Sequence, residues 1–270
     1  MEIAPAPPDV WPRSIRGINN LPEPEKYAIY RTLIIPWVYE RFAIDPETLT
    51  RDGQPLVTIN CPTNSRAMEM SIRHEVQAED PVMYINMVDT FNHQLMVLLV
   101  VVNDPESPRF AIDRDLNGQP TYLGTRGRNI PAEIAAMQAG LAPGQIRAGL
   151  RVFRAAVPVF EQFVSNMGHD MFLIEPLAYH NAITFERYGF NYLYGRREME
   201  WIHQEFLPGG ELHRKLDNST PFRHPDAWQT VRGRSWAIHD GILGHPFTGF
   251  QMYKRIGVHA GVNTFPDARW

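Results

Sequence analysis

The sequence predicts an α/β protein (α+β) with a central, mostly antiparallel mixed sheet and a helical C-terminal extension. Two apolar runs, residues 82–90 and 95–102, are separated by four residues, which is typical of adjacent antiparallel strands. Apolar residues then recur at three- and four-residue spacing from Ile146 to Val164, which predicts a long amphipathic helix. An apolar strand and a short glycine-capped helix follow, so strands and helices alternate along the chain.

Composition indicates a globular protein and excludes several classes of function. The chain has 270 residues, of which 44% are hydrophobic and 21% charged, close to a globular average. Its net charge of −4 argues against a nucleic-acid coat, and its longest apolar run is too short for a membrane span. A single cysteine suits a reducing cytoplasm. We therefore expect a cytoplasmic protein that acts on a small molecule, without nucleic-acid or membrane partners, and a homodimer remains open.

The chain divides into three segments by composition. Residues 1–22 are rich in proline and lack periodicity, which predicts an extended arm. Residues 23–196 carry the α/β domain, with a loop-rich insertion at 114–143 where glycine and proline recur. Residues 197–270 are predicted to form a helical and irregular extension.

The elements of the domain follow from local patterns. Apolar spacing predicts a helix over 23–42, which Pro36 should kink or split. Weak strands are expected at 56–59 and 68–72, and a third short strand at 109–113 would complete a meander. The run 95–102 is apolar at every position and is therefore expected to be buried on both faces.

The segments Met-Phe-Leu-Ile-Glu-Pro-Leu (171–177) and Asn-Ala-Ile-Thr-Phe-Glu-Arg-Tyr-Gly-Phe (181–190) form an apolar strand and a short helix that ends in Tyr-Gly-Phe. Over about residues 82–196 the order and pattern resemble the Gcn5-related N-acetyltransferase (GNAT) superfamily, whose fifth strand and fourth helix end in a similar motif. The resemblance implies an acyl-CoA-dependent N-acyltransferase that uses acetyl-CoA or another acyl-CoA and acts on a small amine.

In that family, backbone amides at the start of the long helix hold the pyrophosphate of acetyl-CoA. The matching stretch is 143–149, in which Gly144 and Ala148 fit the pattern and Ile146 replaces a glycine. Arg147, Arg151 and Arg154 would form one basic face on the first turns of the predicted helix. The cofactor-binding residues that the resemblance implies are Gly144, Gln145, Ile146, Arg147, Ala148 and Asn181.

The resemblance also implies an acid and a base for acyl transfer. The family's usual acid is a tyrosine four residues before the final glycine, where this chain has Phe185, so Tyr188 or Tyr179 would have to substitute. Asp113 and Glu175 are the candidate bases, and burial of Glu175 would raise its pKa as a general base requires. These departures leave open a catalytically degenerate binding or interaction protein of the same fold.

A third hypothesis is a mononuclear metal enzyme. Glu200 and His203 lie one helical turn apart, and His239, Asp240 and His245 would complete a site if the C-terminal tail folds back. Scattered histidines pack or face water more often than they bind metal, so no metal cofactor is expected.

Overall fold

The computed structural model describes residues 6–122 and 124–270 and has a mixed α/β architecture. Seven strands form one mostly antiparallel open sheet, and two short strands form a separate hairpin. Residues 1–5 of the predicted arm and Leu123 of the predicted insertion lie outside the described residues.

The described helices and strands have the following bounds. The α-helices are α1 (Ile15–Asn19), α2 (Glu23–Tyr30), α3 (Pro36–Phe42), α4 (Ile130–Gln138), α5 (Phe153–Asn166), α6 (Tyr179–Arg187), α7 (Arg196–Phe206), α8 (Glu211–Arg214) and α9 (Val231–His239), and short 3-10 helices cover Arg31–Leu33 and Pro225–Gln229. The strands are β1 (Thr50–Arg51), β2 (Gln54–Pro55), β3 (Val57–Asn60), β4 (Ala67–Ile72), β5 (Met83–Asp89), β6 (Leu95–Val102), β7 (Met171–Ile174), β8 (Asn191–Tyr194) and β9 (Gln251–Arg255).

The large sheet has the strand order β3-β4-β5-β6-β7-β9-β8. Strands β3 to β6 pair antiparallel in sequence order, and β7 pairs parallel to β6. The two strong strand predictions are confirmed, and so are the two weak ones. The predicted strand at 109–113 is wrong, because its backbone bonds elsewhere: Phe110 donates to the Ile146 carbonyl and Ile112 to the Phe110 carbonyl.

The chain folds as two compact units that alternate along the sequence. The first unit comprises Met1–Pro105, Gly149–Glu175 and Tyr253–Val258, and the second comprises Glu106–Ala148, Pro176–Met252 and His259–Trp270.

A polar network anchors α1 within the first unit. The Asp89 carboxylate at the end of β5 accepts hydrogen bonds from the backbone amides of Ile15 (2.7 Å) and Arg16 (2.8 Å). Asn19 donates to the carbonyls of Ser65 and Ala67, each at 3.0 Å. Ile15 and Asn19 are fully buried. Residues 15–19 of the predicted arm are therefore helical and packed, because Asp89, far along the chain, caps them.

Aromatic side chains build the core of the first unit around α5. Phe160 meets Phe172 of β7 edge-to-face at 4.7 Å, and Phe163 contacts Tyr30 of α2 and Trp11. The predicted helix over 23–42 is split before Pro36, as expected for a residue that cannot donate a backbone hydrogen bond.

The second unit has its own apolar cluster, centred on Trp236 of α9. Trp236 stacks on Phe222 at 5.2 Å and donates from its indole nitrogen to the Leu141 carbonyl at 2.8 Å. Ile112 and Ala136 complete the cluster. Among the described residues, none of the helices has both the length and the apolar character that crossing a bilayer requires.

We expect Asp89→Ala to lower the free energy of unfolding by about 2 kcal/mol, because it removes a buried carboxylate that satisfies two helix N-terminal amides. Chemical denaturation measures this loss. Glu47→Ala removes an exposed carboxylate of the same unit and should change stability by less than about 0.5 kcal/mol. Equal stability of the two variants would contradict the role assigned to Asp89.

Candidate functional site

The large sheet opens between β6 and β7, two strands of the first unit that pair parallel. Their pairing covers two residue pairs, Met96 with Leu173 and Val97 with Ile174. Beyond Val97, β6 continues to Val102 with a strand partner only on its β5 side within the described residues. The backbone edge of the last part of β6 is therefore left without a strand neighbour on the side of β7.

A β-bulge coincides with the point where this pairing stops. Asn86 of β5 is opposite Leu99, whereas Met87 is opposite Val97, so Leu98 is the extra residue. A bulge bends its strand and increases the local twist, which carries the following residues away from a neighbour. Leu99 and Val100 are 37% and 36% exposed. The prediction that residues 95–102 are buried on both faces is thus wrong for the second half of the strand.

The N-terminus of α5 lies at the same end of the sheet as this opening. Helix α5 connects β6 to β7, and its C-terminus leads directly into the start of β7, so its N-terminus lies towards the carboxyl ends of both strands. A Cβ on Gly149, just before the helix, would come within 3.4 Å of the Val102 carbonyl oxygen. Val152 is the N-cap, and Arg154 is exposed in the first turn.

The long helix begins seven residues later than the sequence predicted, at Phe153 instead of Ile146. Arg151 adopts a left-handed backbone conformation with φ of 57°, which interrupts a helix. Before it, the Ala148 amide donates to the Ser107 hydroxyl and Ile146 accepts from Phe110. The residues expected to begin the helix therefore bond to another segment.

The predicted pyrophosphate loop consequently does not lie at a helix N-terminus. The amides of Gln145 and Ala148 are already bonded, to the Ala142 carbonyl and the Ser107 hydroxyl. Arg147 donates to the Ser107 carbonyl. Because α5 starts at Phe153, only Arg154 of the three arginines belongs to it, and the expected basic helix face is wrong.

The predicted catalytic residues do not form one cluster. Glu175 follows β7 and is exposed, so the burial expected for a general base is missing. Tyr188 is the half-buried C-cap of α6 in the second unit. Asp113 lines a cavity of that unit together with Gly144, one of the predicted cofactor residues. Neither Glu175 nor Tyr188 is among the residues that line this cavity.

Helix α6 carries the predicted residue Asn181, which is half-buried, and the alternative acid Tyr179, which is fully buried. Burial raises the pKa of Tyr179 to about 12, which makes it a poor proton donor at neutral pH. Burial, with the nearby charges of Arg232 and His239, lowers the pKa of His180 to about 3. The neutral His180 ring bonds through Nδ1 to the Ser235 hydroxyl at 2.9 Å and joins α6 to α9.

The cavity of the second unit has a volume of about 220 Å³ and contains a carboxylate–histidine pair. His239 Nε2 lies 3.4 Å from Oε1 of Glu133, whose side chain is only 4% exposed. Burial opposes ionisation of Glu133, but the hydrogen bonds from His239 and Arg128 outweigh it and lower its pKa. Glu133 is therefore an ionised acceptor that orients the His239 ring.

Two arginine side chains pair with Glu133 and with the neighbouring Asp240. Arg128 donates to both Glu133 oxygens and to Asp240 Oδ1, the last at 3.0 Å. Arg223 donates to Asp240 Oδ2 at 2.9 Å, and Thr220 donates to the same oxygen at 2.8 Å. The carboxylates of Glu133 and Asp240 are thus each paired with a guanidinium, which offsets the cost of burying their charge.

The side chains of the metal hypothesis are engaged separately. Glu200 pairs with Arg196, His203 contacts the Arg234 guanidinium, and His239 contacts Glu133. In residues 6–122 and 124–270 no group of three or more His, Cys, Asp or Glu side chains is placed to hold a metal ion.

Sequence reasoning missed Glu133 as a site residue and named His239 only as a metal ligand. The two are 106 positions apart, so no local spacing connects them. The single signal was an acid in the otherwise uncharged helix α4. Comparison with known proteins finds no matching family model, no matching curated protein and no matching solved structure.

His180→Asn should flatten the acid side of the stability profile. The unfolded chain binds a proton on His180 below pH 6.5, whereas the folded chain does so only near pH 3. The contribution of the neutral His180 ring to stability is therefore fully present above pH 6.5. Below that pH, the free energy of unfolding falls by up to about 1.4 kcal/mol per pH unit. Denaturation at several pH values should show a reduced slope for His180→Asn and an unchanged slope for the exposed control His224→Asn. Identical slopes for wild type and His180→Asn would refute the neutral buried ring.

Proposed function

We propose that this protein is an acyl-CoA-dependent N-acyltransferase that transfers an acetyl or other acyl group to a small amine. The opening between β6 and β7 carries the proposal, because an unpaired strand edge and the N-terminus of α5 meet there at one end of the sheet. The observed order of elements from β4 to β8 supports the resemblance to the GNAT superfamily, including the short helix α6 before Tyr-Gly-Phe.

The unpaired edge of β6 suits the chemistry of the acyl donor, an acyl-CoA. The pantetheine arm of CoA is a chain of amides and methylenes, and an extended amide chain can add to an unpaired strand edge through main-chain hydrogen bonds. The residues after the Leu98 bulge offer such an edge, and the exposed Leu99 and Val100 offer apolar contact. This part of β6 would hold and orient the arm.

The N-terminus of α5 suits the phosphate groups of CoA. The first amides of a helix lack intrahelical acceptors and, with the helix dipole, favour an anion. Arg154 adds an exposed guanidinium in the first turn, and Arg151 adds another just before it. These residues would take the place that the sequence assigned to Gly144–Ala148.

A carboxylate at the end of β7 fits the proton chemistry. An ammonium acceptor must lose a proton before its nitrogen attacks the thioester carbonyl, and the thiol that leaves must gain one. Glu175 directly follows Ile174, the last β7 residue paired with β6, and its exposure leaves it accessible. Glu175 would therefore accept the amine proton at this opening.

A protein that binds CoA without transferring an acyl group is the second candidate. It is favoured by Phe185, which occupies the position of the family's tyrosine acid and is 8% exposed. Binding of acetyl-CoA without turnover across a panel of small amines would select this candidate over the enzyme.

Calorimetry with acetyl-CoA and desulfo-CoA tests the proposal. We expect both to bind, and we expect Arg154→Ala to weaken binding about five- to tenfold, the loss of one charge-assisted contact. Arg147→Ala should have little effect, because Arg147 already donates to the Ser107 carbonyl. Arg196→Ala, a surface change on α7, is the control.

Two results would contradict this proposal. Absence of heat at millimolar ligand would remove the acyl-CoA function altogether. A large effect of Arg147→Ala with none for Arg154→Ala would move the phosphates to the loop that the sequence predicted.

A further inference from the structure

The cavity of the second unit is built as a ligand site. Its volume of about 220 Å³ equals the share of about seven water molecules in the liquid. Ile112 contributes an apolar wall, and Asp113, Glu133 and His239 contribute ionisable groups. Such a combination, a mostly preformed concavity with a few convergent polar groups, is typical of small-molecule sites.

Polar groups that line this cavity still have oxygen lone pairs that can accept hydrogen bonds from a ligand. Each oxygen of Asp113 accepts one bond from Arg109, at 3.2 and 2.8 Å, and a carboxylate oxygen can accept two. The side chain of Asp113 is 39% exposed. Thr121 uses its hydroxyl proton on the Ile112 carbonyl, which leaves its oxygen lone pairs. The acceptor capacity of Asp113 and Thr121 therefore favours a ligand that brings donors.

The His239 ring has a defined orientation in this cavity. The ionised Glu133 faces Nε2, so Nε2 carries a proton and donates to Oε1. Gly124 lies against the same ring edge, and a Cβ there would come within 3.0 Å of Cε1. The ring is thereby held in place by a carboxylate on one side and by close backbone contact.

The guanidinium groups around the cavity have partners of their own. Arg109 pairs with Asp113, Arg128 pairs with Glu133 and Asp240, and Arg126 lies over the Tyr122 ring at 4.8 Å. The lining residues include no lysine or arginine. The charged groups of the lining itself are consequently the carboxylates of Asp113 and Glu133, each paired with an arginine outside the lining.

We propose that this cavity binds a small primary ammonium ligand, with Asp113 as the charged acceptor. An ammonium group brings three donors and one positive charge, which match these acceptors better than an alcohol or a carboxylate does. The inference stands on the cavity alone and does not require acyl transfer or CoA binding.

The test uses the full chain with histidine side chains labelled for NMR, and the probes are propylammonium chloride, propanol and sodium propionate. His239→Gln assigns the signal. We expect propylammonium to shift the His239 signal saturably at tens of millimolar, with propanol clearly weaker and propionate without effect. Asp113→Asn should weaken propylammonium binding at least about fivefold.

Asp226→Asn is the matched control, because Asp226 is an exposed carboxylate of the same unit that does not line the cavity. It should leave propylammonium binding unchanged. The proposal is overturned if propylammonium causes no saturable shift, if propanol or propionate binds as well, or if a folded Asp113→Asn variant binds propylammonium with wild-type affinity.

Discussion

The short parallel pairing of β6 with β7 is the constraint on which the first unit depends. A parallel neighbour requires a long crossover, and α5 supplies it, so the helix has to run back along the sheet and start at the carboxyl end of the strands. The bulge at Leu98 then ends the pairing after Val97. Together these features leave a strand edge open beside a helix N-terminus, an arrangement that neither feature would produce alone.

The second unit contains carboxylates that are shielded from water and paired with arginine side chains. Arg128 connects Glu133 to Asp240, and Arg223 also pairs with Asp240, so neither of these two carboxylates carries an unpaired charge. Trp236 and Phe222 pack beside this network, and Arg128 lies over the Phe222 ring at 5.0 Å. The position of His239 at the cavity follows from its contact with Glu133, which this network holds.

Local patterns predicted most of the elements but not the start of α5 or the bulge in β6. The uninterrupted aliphatic run fixed the bounds of β6, and Pro36 marked the split between α2 and α3. The start of α5 was missed because Ser107 and Phe110 bond to residues 146–148. The apolar spacing along the sequence gives no information on such bonds between distant segments. The Leu98 bulge left no sequence signal for the same reason, since it is a mismatch between two strands.

A crystal structure of the chain with desulfo-CoA would show whether CoA binds at the opening between β6 and β7. We expect the pantetheine arm to be hydrogen-bonded along β6 after Leu98 and the pyrophosphate to lie within hydrogen-bonding distance of the first amides of α5. A cofactor bound elsewhere, with the space between β6 and β7 unoccupied, would contradict this expectation.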